Sequence, residues 1–141
     1  MVQAARISIT GTQRMDGEDP QTLELVTDGS YCYEPGYAVI SYVESQMTGL
    51  EGVVTTFTVE DGKAVKLRRT GKVNTEMLFD QLTPHDSLYD MGFGAMMISV
   101  ITEGMTVLLN EHGGVLDLDY RVEVEHQLCS QNQYHIEIQT I

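Results

Sequence analysis

Ten consecutive residues, Leu116 to Glu125, alternate without a break between apolar and charged side chains. Leu116, Leu118, Tyr120, Val122 and Val124 fall on one side, and Asp117, Asp119, Arg121, Glu123 and Glu125 on the other. A repeat of two puts successive side chains on opposite faces of an extended strand; a helix would scatter them around its circumference. One face therefore meets a core and the other meets water. Tyr134, Ile136 and Ile138 against His135, Glu137 and Gln139 repeat the pattern, as do Ile7 with Ile9 and Leu23 with Leu25. The two long C-terminal strands predict a hairpin turning through the polar residues 130–133.

Turn signals punctuate the rest of the chain at short intervals. They include Asp16-Gly17, Asp28-Gly29, Glu34-Pro35-Gly36, Glu51-Gly52, Asp61-Gly62, Gly92-Phe93-Gly94, Glu103-Gly104 and His112-Gly113-Gly114. Glycine supplies positive φ, and Asp-Gly suits a two-residue hairpin. Between them lie segments rich in Val, Ile, Thr, Tyr and Leu. This spacing predicts an all-β fold, a single antiparallel meander of about 8–10 strands closed into a barrel. With 141 residues, the chain is read as one domain over 1–141 with its own core. Residues 74–82 also satisfy a helical pattern, but Val73, Met77 and Phe79 continue the odd-numbered face of the preceding segment, so they are read as strand. The run 95–101 is apolar on both faces.

The net charge of −13 argues against nucleic acid and against anionic membrane surfaces, both of which bind through Lys and Arg. Five of the eight basic residues, Lys63, Lys66, Arg68, Arg69 and Lys72, lie in a stretch without an acid, which reads as one solvated basic strand or an anion site. The N-terminus lacks the pattern of a signal peptide, no apolar run reaches membrane-spanning length, and two cysteines make no disulfide framework. A cytoplasmic protein with Cys32 and Cys129 reduced is the expectation.

Familiar catalytic signatures are missing: there is no GxSxG, P-loop, GxGxxG or HExxH. His85, His112, His126 and His135 show no metal-ligand spacing, so no metal, cofactor or catalytic residue is assigned. The sharpest feature is Arg69. If residues 65–79 form one strand bent at Gly71, the odd face carries Val65, Leu67, Val73, Met77 and Phe79, and Arg69 projects inward among them. A buried guanidinium keeps its charge and must find acceptors. These are either a protein carboxylate or an anionic ligand, unless a bulge at Gly71 turns Arg69 outward. In the strand starting at Tyr37, the residues Ala38, Ile40, Tyr42 and Glu44 share a face; Tyr37, Val39 and Val43 make the other face apolar too, so parity leaves the inward side open, and Glu44 is a candidate partner if the even face is inside. Tyr42 and Tyr120 are candidate ligand-binding residues beside Arg69 and Glu44, and Tyr31, Tyr33 and Tyr89 offer further hydroxyls.

Four stretches then carry a resemblance. Residues 41–52 (Ser41-Tyr42-Val43-Glu44-Ser45 to Gly52), Leu67-Arg68-Arg69-Thr70-Gly71-Lys72-Val73-Asn74 followed by Met77 and Phe79, Ser87-Leu88-Tyr89-Asp90-Met91-Gly92-Phe93-Gly94, and the ending from Leu118-Asp119-Tyr120 to Ile138 stand in the order and spacing seen in the YwiB-like family of small bacterial proteins of unknown function. The chain resembles that family from about Ile7 to Ile138. The resemblance implies a calycin-like barrel, related in architecture to lipocalins and fatty-acid-binding proteins, and it implies no activity. Three readings follow. The first is a barrel binding a small anionic or amphipathic molecule at Arg69. The second is an enzyme using Arg69, Glu44 and a tyrosine. The third is a filled barrel acting as a homo-oligomer or partner through the apolar outer side of 95–101.

Overall fold

The structure is a computed structural model that describes residues 2–15, 17–46, 49–60, 63–72, 74–90 and 95–141, with the backbone alone at 87–90 and 95. The inward position expected of Val73, the Tyr89 hydroxyl, the Asp61-Gly62 turn and the Gly92-Phe93-Gly94 loop lie outside the described residues.

Ten antiparallel strands follow one another: β1 (Val2–Met15), β2 (Gln21–Glu34), β3 (Tyr37–Val43), β4 (Val54–Glu60), β5 (Ala64–Thr70), β6 (Thr75–Asp80), β7 (His85–Asp90), β8 (Ala95–Asn110), β9 (Gly113–Val124) and β10 (Gln127–Thr140). They form one sheet in the order β6-β5-β4-β3-β2-β1-β10-β9-β8-β7. Each strand therefore pairs with its sequence neighbours, and β1 pairs with β10 from Ala5↔Thr140 to Met15↔Ser130. Among the described residues a ladder is missing at one place, between β6 and β7. The result is a nearly closed meander barrel, the all-β architecture that the alternation predicts.

The inward rows are the apolar ones. Ile7, Tyr31, Ile40, Phe57, Leu67, Phe79, Leu116, Leu118 and Ile136 are all at most 2% exposed and fill the interior. Each such side chain contributes about 1.5–3 kcal/mol by leaving water. On β9, Leu116, Leu118 and Tyr120 are buried, while Val122 and Val124 are half-buried because the barrel opens at that end.

Three local expectations are corrected. First, the C-terminal hairpin does not turn at 130–133. It turns at Glu125-His126, whose φ values of 51° and 67° match the left-handed pair of a two-residue hairpin. Glu125 is held there by β8, since its amide donates to the Met97 carbonyl at 3.1 Å and its carboxylate accepts from the Met97 amide at 3.1 Å. Second, residues 65–79 are not one bent strand but lie in two paired strands, β5 ending at Thr70 and β6 starting at Thr75. The face assignment survives because Val65 pairs with Phe79, Leu67 with Met77 and Arg69 with Thr75, so odd positions stay together. Third, Asp28-Gly29 and Glu103-Gly104 are not turns. Gly29 lies inside β2 where a Cβ would stand 2.2 Å from the Ser41 carbonyl oxygen, so close approach of β2 to β3 demands glycine. Glu103 is a bulge in β8, between Thr102↔Tyr120 and Gly104↔Asp119. The bulge moves the inward row from Ile98, Val100 and Thr102 to Met105, Val107 and Leu109.

Candidate functional site

A row of paired residues crosses four strands: Tyr42 opposite Thr55, Thr55 opposite Arg69, and Arg69 opposite Thr75. All belong to the inward row, because cross-strand partners share a face. Glu44 follows the end of β3 and is fixed by backbone bonds, its amide to the Val53 carbonyl at 2.8 Å and its carbonyl to the Gly52 amide at 3.1 Å. Tyr42 and Glu44 are thereby two residues apart on the same buried face, 6% and 4% exposed.

Arg69 projects inward, as its neighbours Lys66 and Arg68 do not. Its Nε stands 3.9 Å from Glu44 Oε2, with the Glu44 side chain 2% exposed. That is an ion pair beyond hydrogen-bond length, and Arg69 Nε is buried without a hydrogen-bond partner. Arg69 Nη2 donates to the Tyr134 hydroxyl at 3.4 Å. Glu44 is satisfied from its other side, accepting from the Thr55 hydroxyl and from the Tyr42 hydroxyl. Burial pushes the Tyr42 phenol well above its ordinary range, and the neighbouring Glu44 charge adds to this. Burial works against the Arg69 charge, but Tyr134, Tyr42 and Glu44 outweigh it and hold the guanidinium above its usual value. The cluster is a balanced pair with a surplus: the carboxylate is supplied with donors, and the guanidinium has N–H groups to spare.

Arg69 also borders a cavity. Arg69 and Tyr134 line a space of about 580 Å³ with Leu67, Met77, Ile98, Tyr120, Val122 and Val124. The exposed residues Gln13, Met15, Gln21 and Leu23 stand at its mouth, so it opens to solvent at the end of the barrel where β1 turns into β2. Ring contacts build its wall: Tyr120 packs against Phe79 at 4.6 Å and against Tyr134 at 6.1 Å between centroids.

Of the four candidate residues, Arg69 and Tyr120 reach the cavity wall. Tyr42 and Glu44 are behind Arg69, where they hold it from the protein side and do not line that space. Thr55, Tyr134, Ser130 and Asn132 belong to the site and were not singled out. Ser130 and Asn132 sit in the segment assigned to a turn, yet they continue the even-numbered inward row of Tyr134, Ile136 and Ile138. That parity is the signal that could have found them. Among the described residues no group of three or more His, Cys, Asp and Glu side chains is arranged to hold a metal ion.

A nearly closed meander of ten antiparallel strands around an interior open at one end is consistent with the calycin-like class of barrels. The model of a family described as a domain of unknown function, DUF1934, matches residues 7–136, and the chain belongs to that family. A search of curated proteins found no match. Among solved structures, the crystal structure of the YwiB protein from Bacillus subtilis is similar over 99% of this chain and 94% of that one, with a TM-score of 0.73 and 20% identity. At that identity the likeness speaks for the fold. No helix is long and apolar enough to cross a membrane among the described residues.

Proposed function

We propose that the protein is a cytoplasmic binding barrel for a small amphipathic molecule whose acceptor-bearing or anionic head group meets Arg69. One observation carries this reading: Arg69, a largely buried guanidinium bonded to the Tyr134 hydroxyl, lines a 580 Å³ cavity whose lining mixes apolar side chains with polar ones. A purely structural ion pair needs no such space. The cavity also favours binding over a filled barrel, and the placement of Glu44 behind Arg69 argues against an enzyme using Glu44 on a bound molecule. Because Glu44 already balances Arg69, a neutral carbonyl or phosphoryl oxygen suits the site as well as a carboxylate does. The cytoplasmic assignment is supported by the cysteines. Cys32 is opposite Val2 and Cys129 next to Ser130, which is opposite Met15, so they stand at far ends of β1 and cannot bridge.

Native mass spectrometry of protein purified from its own host tests this. The expected result is a non-covalent adduct of small-molecule mass that Arg69→Met loses. Bare chain alone, together with no fluorescence enhancement of anilinonaphthalene sulfonate by the pure protein, would overturn the reading.

A further inference from the structure

The inward row of β10 changes character along its length. Ile138 and Ile136 pack in the core, Tyr134 meets Arg69, and the next two inward residues are Asn132 and Ser130. Both are more than nine-tenths buried, at 7% and 3% exposed, and both line the cavity. Buried polar side chains in a barrel interior are ordinarily satisfied by the protein. These are satisfied only in part. Asn132 makes one side-chain hydrogen bond among the described residues, Nδ2 to Ser130 Oγ at 2.9 Å, and its carbonyl oxygen, to which the protein donates no hydrogen bond, is open to the cavity. Turning the amide over leaves the NH₂ group unused instead, so either orientation presents half an amide to the cavity.

On the β8 and β9 side of the pair, Ile98, Val122 and Val124 line the same space. The opening thus has an apolar wall there, further polar residues, Thr12, Gln13, Gln21 and Thr22, along β1 and β2, and a polar edge along β10. Along that edge, successive inward residues are about 7 Å apart, so the spare amide of Asn132 sits within one short linkage of the head-group position at Arg69 and Tyr134.

From this we infer a second hydrogen-bonding subsite at Ser130 and Asn132, which selects ligands carrying an amide between the head group and the apolar tail. The class is an N-acylated amino acid or a related acyl amide, rather than a plain fatty acid. An amide supplies both the donor that the Asn132 carbonyl lacks and an acceptor for the amide or hydroxyl hydrogens beside it. The inference rests on the cavity reading above and adds the chemistry of the linkage.

Isothermal titration with two probes, decanoic acid and N-decanoylglycine, tests it on the intact chain. Both end in a carboxylate and carry a nine-carbon alkyl tail, and N-decanoylglycine interposes –CO–NH–CH₂– between the two. Wild type is expected to bind N-decanoylglycine at least tenfold more tightly, because the plain acid leaves the buried amide unpaired. Asn132→Leu, close in size, is expected to bring the two within twofold and to tighten decanoate. Ser130→Ala is a second, smaller change expected to reduce the preference, and circular dichroism checks that each variant is folded. Equal binding of both probes by wild type, or a preference that both variants keep, would overturn the subsite and leave the cavity reading standing. No binding of either probe would overturn both.

Discussion

Replacing Arg69 by methionine leaves a carboxylate in the interior with no cation beside it. At 3.9 Å and an effective dielectric constant of about 20, the lost attraction is about 4 kcal/mol. Stranding the carboxylate in this way should cost Arg69→Met about 3–4 kcal/mol of stability. Glu44→Gln in the Arg69→Met background removes the stranded charge and should restore most of the loss at pH 7. Arg68→Met, one residue away on the wet face, should stay within about 0.5 kcal/mol of wild type. Urea unfolding of the four proteins at pH 7 reads all of this. A deficit not relieved by Glu44→Gln would show that Arg69 contributes packing and not charge, and the ion-pair reasoning would fall.

Three further outcomes are expected. Gly29→Ala should cost about 3 kcal/mol or more, because its Cβ would stand 2.2 Å from the Ser41 carbonyl oxygen, while Gly104→Ala, with 3.4 Å to Asp119 Cβ, should cost under about 1 kcal/mol; comparable thermal melts for the two would contradict this. Burial, helped by Tyr33 and Cys32, pushes the Tyr31 phenol up to about 12, so the folded state holds that proton more tightly than the unfolded chain does. Stability should therefore be intact below about pH 10 and fall as pH rises toward 12, and urea midpoints that stay level from about pH 9 to 11 would refute it. With a net charge of −13, the protein should show no salt-sensitive binding of DNA or RNA in fluorescence anisotropy at physiological salt, and micromolar affinity would contradict that.

The barrel was legible because alternation survives errors of connection. Residues 65–79 were read as one strand and are two, yet Arg69 still points inward, since a hairpin pairing residues of equal parity keeps each face intact. Glu44 followed from the same logic once Ala38, Ile40 and Tyr42 proved to be the inward set. The failures share a cause. Glu125-His126 turns the chain with no glycine or asparagine to announce it, and its conformation depends on β8, far away in sequence. Conversely, Ser130-Gln131-Asn132 has a turn's composition but is polar because two of its side chains border a cavity. A polar residue that faces an internal space and one that faces bulk water look alike in sequence, so the residues most closely tied to the site were the ones assigned to a loop.

The missing ladder between β6 and β7 has a topological consequence. Where β1 and β10 meet, paired residues run from Ala5↔Thr140 to Met15↔Ser130, so that junction is as well stitched as any interior one. The seam of the cylinder is instead the connection 81–84, across which His85 Nε2 stands 3.8 Å from Asp80 Oδ2 and within which the Asp80 carboxylate accepts from the Leu82 amide. A circular permutant that links β10 to β1 and begins at β7 would keep every backbone ladder of the present sheet. It would cut only the chain at that connection, and native-state hydrogen exchange should find β6 and β7 opening first in both forms.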